Sequence, residues 1–269
     1  MIADLHTHST ASDGQYTPAE LVWLAKDRGI EVLALTDHDT LDGVEAAVEA
    51  GETLGLRVLR GVELGAAEYE NFHLLGYGVR PGAPELEALC EKFKTGRDQR
   101  NGRILDYLRE KNRELTLEEV KEIAGGDIIG RPHFAQAMVR RGYVQNNREA
   151  FDRFLDTPEY HQKVKRFKAS AETCLSAIKS AGGKASFAHP YQVGLDEEAL
   201  EALVRALKDL GLDAIECRYP RHTPDQTAFY LRLVEKYGLR ITGGSDFHGE
   251  RVKPDVELAA WDLDLDWLL

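Results

Sequence analysis

Short apolar runs alternate with amphipathic stretches along most of the chain, and the alternation is interrupted once before it resumes. The first run, Ile2-Ala3-Asp4-Leu5-His6-Thr7-His8-Ser9, reads as a strand whose two histidines, two positions apart, project to the same side. Thr17-Pro18-Ala19-Glu20 then combines an N-cap, a proline at the first helical position and a capping box. Leu21, Leu24 and Ala25 follow at helical spacing, and Gly29 supplies the stop. Residues 31–36 form a near-continuous apolar run of the kind found in buried parallel strands, and it ends in Asp37-His38-Asp39. A helix over about residues 41–54, a strand over 57–62 ending in Glu63, and a strand over 72–77 carrying His73 continue the pattern.

From about residue 84 to 168 the pattern is helical, with no convincing strand. Thr116-Leu117-Glu118-Glu119 is a second capping box, and Arg131-Pro132-His133-Phe134 opens a short helix. Residues 151–155 read as part of another helix. The alternation then resumes. A helix over 171–181 leads to a strand over 184–188 running into His189-Pro190, and a helix over 196–210 leads to a strand over 214–217. Thr223-Pro224 starts the last long helix, and a strand over 239–242 runs into Gly243-Gly244-Ser245-Asp246-Phe247-His248. About seven strands, mostly separated by helices, predict an α/β barrel. Residues 1–83 and 169–269 would form it, and 84–168 would be a helical insertion over its open end. Histidines and carboxylates gather at the strand ends, which in a β/α barrel share one face, so distant sequence positions converge on one mouth.

Composition narrows the chemistry. A formal charge of -12 argues against a surface that coats long nucleic acid. It leaves a small phosphorylated substrate open, because carboxylates that ligate divalent ions count as negative in the tally yet become locally neutral once ions bind. No apolar run approaches the roughly 20 residues of a membrane span. The start lacks the basic and apolar regions of a signal peptide, so a cytoplasmic protein is expected. Cys90, Cys174 and Cys217 show no paired spacing, which indicates neither a disulfide framework nor a cysteine zinc site. Imidazole and carboxylate groups without thiolates suit manganese, zinc or iron.

His6-Thr7-His8, Thr36-Asp37-His38-Asp39, Glu63, His73, His189-Pro190 and Ser245-Asp246-Phe247-His248 resemble, in order, the motifs of the polymerase and histidinol phosphatase (PHP) family. The resemblance covers almost the whole chain. It implies a distorted (β/α)7 barrel of a metal-dependent phosphoesterase, with the helical insertion capping the C-terminal face of the strands. It implies two or three divalent ions: one held by His6, His8, Glu63 and Asp246, a second by Glu63, His73 and His189, and a third by Asp13, His38 and His248. Asp13 stands where some relatives carry histidine. Asp37 and Asp39 are candidates to orient the histidines, against the alternative of ordinary loop acids. By the same resemblance Arg131 and Arg166 bind substrate phosphate, and His222 faces it as a candidate proton donor to the leaving oxygen.

The expected reaction is in-line hydrolysis by a metal-bound hydroxide, with Glu63 and Asp246 at its centre. No phosphoenzyme is expected, since no serine or cysteine sits with a base in a recognisable motif. Asp13, the helical block and Arg221-His222-Thr223-Pro224 most resemble stand-alone members that act on 3′,5′-nucleotide bisphosphates or on the 5′ ends of short RNA. Three rival readings stay open: a histidinol-phosphate phosphatase, a polymerase-associated proofreading exonuclease (disfavoured because the chain carries no polymerase), and a non-catalytic metal-binding module.

Overall fold

A computed structural model describes residues 1–124, 129–165 and 167–269. Among them eight strands form: β1 (Ile2–Thr7), β2 (Val32–Leu35), β3 (Arg57–Gly65), β4 (His73–Tyr77), β5 (Lys184–Phe187), β6 (Ala214–Arg218), β7 (Arg240–Gly243) and β8 (Trp261–Asp262). The helices are α1 (Pro18–Asp27), α2 (Val44–Leu54), α3 (Pro84–Glu110), α4 (Leu117–Ala124), α5 (Arg131–Arg140), α6 (Asn147–Ala150), α7 (Pro158–Lys163), α8 (Ala171–Ser180), α9 (Glu197–Asp209) and α10 (Pro224–Tyr237). Residues 151–155, expected as ordinary helix, form a π-helical turn directly after α6. Two compact units result, residues 1–90 with 168–269, and residues 91–167. The two units meet within α3 and after α7.

The strands make one sheet in the order β7-β6-β5-β4-β3-β2-β1-β8. It curls into a nearly closed barrel: a parallel bridge joins Thr7 to Phe247, just beyond β7, and the Asp246 and His8 amides donate to the His6 and Phe247 carbonyls. The two-residue β8 adds an antiparallel edge beside β1 and was too short to read from periodicity. β4 departs from a regular β/α barrel, since it runs antiparallel to both β3 and β5. Its first residue, His73, therefore lies at the face where the parallel strands end, and a histidine at a strand start joins the others.

Local signals explain the elements. Thr17 and Glu20 form the expected capping box, the Thr17 amide donating to the Glu20 carboxylate at 2.9 Å and the Glu20 amide to the Thr17 hydroxyl at 3.3 Å. β2 is buried on both faces, as its unbroken apolar run requires. Leu33 and Leu35 pack with Leu21, Val22 and Ala25 of α1 and Ala47 of α2. Val32 and Ala34 turn the other way, onto Ala3, Leu5, Leu75 and Tyr77. The helical unit has its own core around Ile104, Leu108, Phe134, Met138 and Leu155. Among the described residues no helix is long and apolar enough to cross a membrane.

Leu5 is fully buried one residue before the first site histidine, so the inner cluster and the site share a strand. Leu5→Ala is expected to lower unfolding free energy by about 2–5 kcal/mol in denaturant titrations. A loss below about 1 kcal/mol would mean that this cluster is not a close-packed core.

Candidate metal centre

The register of β1 against β2 shifts between Asp4 and Thr7, a stretch that contains His6, and at this end of the strand His6 and His8 converge. Their rings lie 5.2 Å apart, and each Nε2 sits 3.3 Å from Oε2 of Glu63, which projects from β3. Asp246, in the loop after β7, places Oδ1 3.7 Å from His6 Nε2 and 3.3 Å from His8 Nε2. Donor atoms on a tetrahedral ion with bonds of about 2.1 Å stand roughly 3.4 Å apart, so these four atoms have the spacing of a coordination shell. The other Glu63 oxygen, Oε1, lies 3.0 Å from His73 Nδ1 and 3.0 Å from His189 Nε2, and those two nitrogens are 3.3 Å apart. One buried carboxylate thus faces two imidazole groups, one with each oxygen.

The remaining ligand candidates gather beside the first group. Asp13 Oδ1 is 3.3 Å from His248 Nε2 and 3.9 Å from His38 Nε2. His38 also turns Nδ1 to Glu63 Oε2 at 2.9 Å, and the His8 ring stacks 3.9 Å from that of His248. His38 and His8 therefore each stand between two groups, rather than in the one group apiece that the resemblance gave them. All nine expected ligand residues come together in overlapping clusters of donor atoms. A cation is what the donor set fits: His6 Nε2 and His8 Nε2 are buried with no hydrogen-bond partner, a costly state for polar atoms unless an ion satisfies them.

Electrostatics agree. Burial alone would push the carboxyls of Glu63, Asp13 and Asp246 up, but neighbouring cations and imidazoles hold all three well below the usual range. Burial, with His248 and His38 nearby, drives His8 down to about 4, so it offers a lone pair at neutral pH. Burial also opposes charge on His6 and His38, yet there the carboxylates win. Glu216, Glu63 and Asp246 hold His6 well above the ordinary imidazole value, and Glu63, Asp13 and Asp39 raise His38 to about 9.

Behind these donors lies a layer the sequence did not reveal. Glu216 accepts from His6 Nδ1 at 3.0 Å, which leaves Nε2 for an ion, and takes the His189 amide at 2.7 Å on its other oxygen. That amide bond holds His189 at φ 27°, a strained conformation outside glycine. Asp246 Oδ2 accepts from the Tyr219 hydroxyl at 3.0 Å and from Lys253 Nζ at 2.7 Å. Asp4 binds the Ser245 amide and hydroxyl and the Ala259 amide, tying the end of β7 to β1. Gly244 permits the approach: a β-carbon there would stand 2.2 Å from His6 Cβ. Among the described residues the hydrogen bonds of Asp37 go to Ser9 and Ser12, and so shape the loop bearing Asp13. Asp39 accepts from the Gly65 amide. A lone acid inside an apolar strand was the available signal for Asp4 and Glu216. Lys253 had none.

The expected substrate residues fare differently. His222 hydrogen-bonds the Cys217 carbonyl through Nδ1 at 3.4 Å, and its Nε2 is buried without a partner among Tyr191, Tyr219 and Tyr230. Burial lowers its pKa, so the neutral ring suits accepting a hydrogen bond better than donating a proton. Arg131, in the helical unit, pairs with Asp156 at 3.0 Å and stacks over Phe151. Arg166 lies outside the described residues. His133 caps α5, accepting the Gly130 amide on Nδ1 at 3.1 Å, and the exposed His161 pairs with Asp156.

Residues 4–182 match the PHP domain family. A 5′-3′ exoribonuclease of Haemophilus influenzae is 34% identical over 91% of this chain and 89% of its own length. A phosphoribosyl 1,2-cyclic phosphate 1,2-diphosphodiesterase of Eggerthella lenta is 34% identical over 93% and 95%. A 3′,5′-nucleoside bisphosphate phosphatase of Chromobacterium violaceum is 32% identical over 91% and 86%. Among solved structures, a Bifidobacterium adolescentis protein described as a candidate metal-dependent phosphoesterase superposes with a TM-score of 0.83 at 30% identity, over 97% of this chain and 92% of that one.

The raised pKa values of His6 and His38 set a pH dependence. The raised values favour the imidazolium form of both rings, so an ion that binds there displaces a proton from each, whereas His8, lowered to about 4, starts as the neutral ring. Apparent Mn²⁺ affinity should therefore rise with pH up to about 9, by up to about tenfold per unit for each displaced proton. Binding isotherms between pH 6 and 8 check this. A flat profile would show that these histidines are not the groups an ion meets.

Proposed function

The chain belongs to the PHP family and is a phosphoesterase, and on that premise we propose that it hydrolyses small nucleotide phosphates at the centre around Glu63. The preferred substrate is a 3′,5′-nucleoside bisphosphate, with the 5′ end of short RNA as a related one. The carrying observation is Glu63 itself, a fully buried carboxylate whose two oxygens each face a separate set of imidazole nitrogens. His6, His8, Glu63 and Asp246 would hold one divalent ion, and Glu63, His73 and His189 a second. Asp13, His38 and His248 would hold a third, with manganese, zinc or iron all suited to the donors. Ions so held polarise a phosphoryl group and lower the pKa of nearby water.

The protein's own part is positional. Glu216 fixes the His6 tautomer, and Tyr219 and Lys253 on Oδ2 leave only Oδ1 of Asp246 turned inward. The ligand carboxylates stay ionised, which keeps the pocket ready for cations and hostile to a bare polyanion. Arg131 and Arg166 take the role of anchors for a phosphate other than the one cleaved. Such an anchor favours a bisphosphate, because remote binding energy orients the reacting group.

Adenosine 3′,5′-bisphosphate should accordingly be hydrolysed with kcat/KM at least about tenfold above that of AMP, as one charged contact of about 1.5–3 kcal/mol would give. Phosphate release measured on both substrates with manganese decides it. Equal values, or a preference for histidinol phosphate, would reject the substrate while leaving the phosphoesterase chemistry in place.

A further inference from the structure

We propose that Lys253 is a phosphate-binding residue of the barrel, an assignment that rests on the phosphoesterase reading of the site. After His248 the chain makes a tight turn at Gly249, with φ 91°, and the Val252 and Lys253 amides both donate to the Gly249 carbonyl. The turn carries Lys253 back over Asp246, seven residues earlier, with Nζ 2.7 Å from Oδ2. Among the described residues no other lysine or arginine forms an ion pair with Asp13, Glu63 or Asp246, the three ligand carboxylates.

Holding Asp246 in place does not by itself call for a cation. The Tyr219 hydroxyl already donates to Oδ2 at 3.0 Å, and a neutral donor is enough to fix a carboxylate rotamer. Lys253 brings a charge and two further N–H groups, one of its three being spent on Asp246. Its side chain remains 31% exposed, whereas that of Asp246 is only 4% exposed.

The geometry also fits. Asp246 presents Oδ1 to the imidazoles of His6 and His8 and Oδ2 to the ammonium. The residues that would hold an ion thus lie on one side of the Asp246 carboxylate and the cationic donor lies on the other, so a phosphate drawn to the ligands would lie beside the ammonium. A phosphoryl group held there would meet a charge-assisted donor.

The test uses full-length protein loaded with manganese and inorganic phosphate as the probe. Metal content is measured by elemental analysis and phosphate affinity by calorimetry. Lys253→Met should keep the wild-type metal content and bind phosphate roughly ten- to a hundredfold more weakly, the usual loss for one charged hydrogen bond. Lys253→Arg should restore most of the affinity, and Lys253→Gln serves as a second neutral variant should the methionine protein fail to fold. Wild-type phosphate affinity in the neutral variants would overturn the proposal. So would a loss of metal that accounts for the weaker binding, since that would make Lys253 a support for Asp246 alone. Phosphate binding is read without turnover, so failure of the bisphosphate preference would leave this result standing, and the reverse also holds.

Discussion

Burying the carboxylate of Glu63 is the constraint that the rest of the barrel answers. Taking an ionised group fully out of water costs several kcal/mol unless opposite charge and hydrogen bonds replace the solvent. Here five imidazoles, from His6, His8, His38, His73 and His189, stand within 2.9–3.3 Å of its two oxygens. Imidazoles satisfy an anion as donors only when protonated or turned the right way, and burial drives His8 out of its charged form. Divalent cations resolve the conflict, because they neutralise the acids and use the lone pairs that burial favours.

That requirement explains departures from a regular β/α barrel. β4 runs against its neighbours and so delivers His73 from a strand start. The register of β1 against β2 shifts across the stretch that contains His6, and Gly244 removes the β-carbon that would collide with it. His189, Asp39 and Asp246 all adopt positive φ, a cost of order 1–3 kcal/mol for such residues that surrounding hydrogen bonds must offset. The Glu216 bond to the His189 amide is one such offset. Donors held by such a network suit chemistry that depends on fixed electrostatics.

Much of this was legible in the chain. Helix starts at Thr17-Pro18 and Thr223-Pro224 carry their caps in sequence, and the apolar run of β2 announces a strand covered on both faces. The ligand residues were legible because histidines and acids at strand ends are chemically conspicuous. What escaped was set by tertiary contact. The antiparallel sense of β4 depends on pairing rather than on its own residues, and β8 is too short to show a period. Lys253 resembles any surface lysine until the turn at Gly249 brings it to Asp246. His222 stood at a strand end as the ligands do, but the surrounding tyrosines leave its free nitrogen buried.

The most direct test of the shared carboxylate is anomalous diffraction from crystals of the protein grown with manganese. Two ions should appear on either side of Glu63, one against Oε2 with His6 and His8 and one against Oε1 with His73 and His189, separated by about 4 Å. A single ion, or ions that leave Glu63 without a contact, would contradict the account.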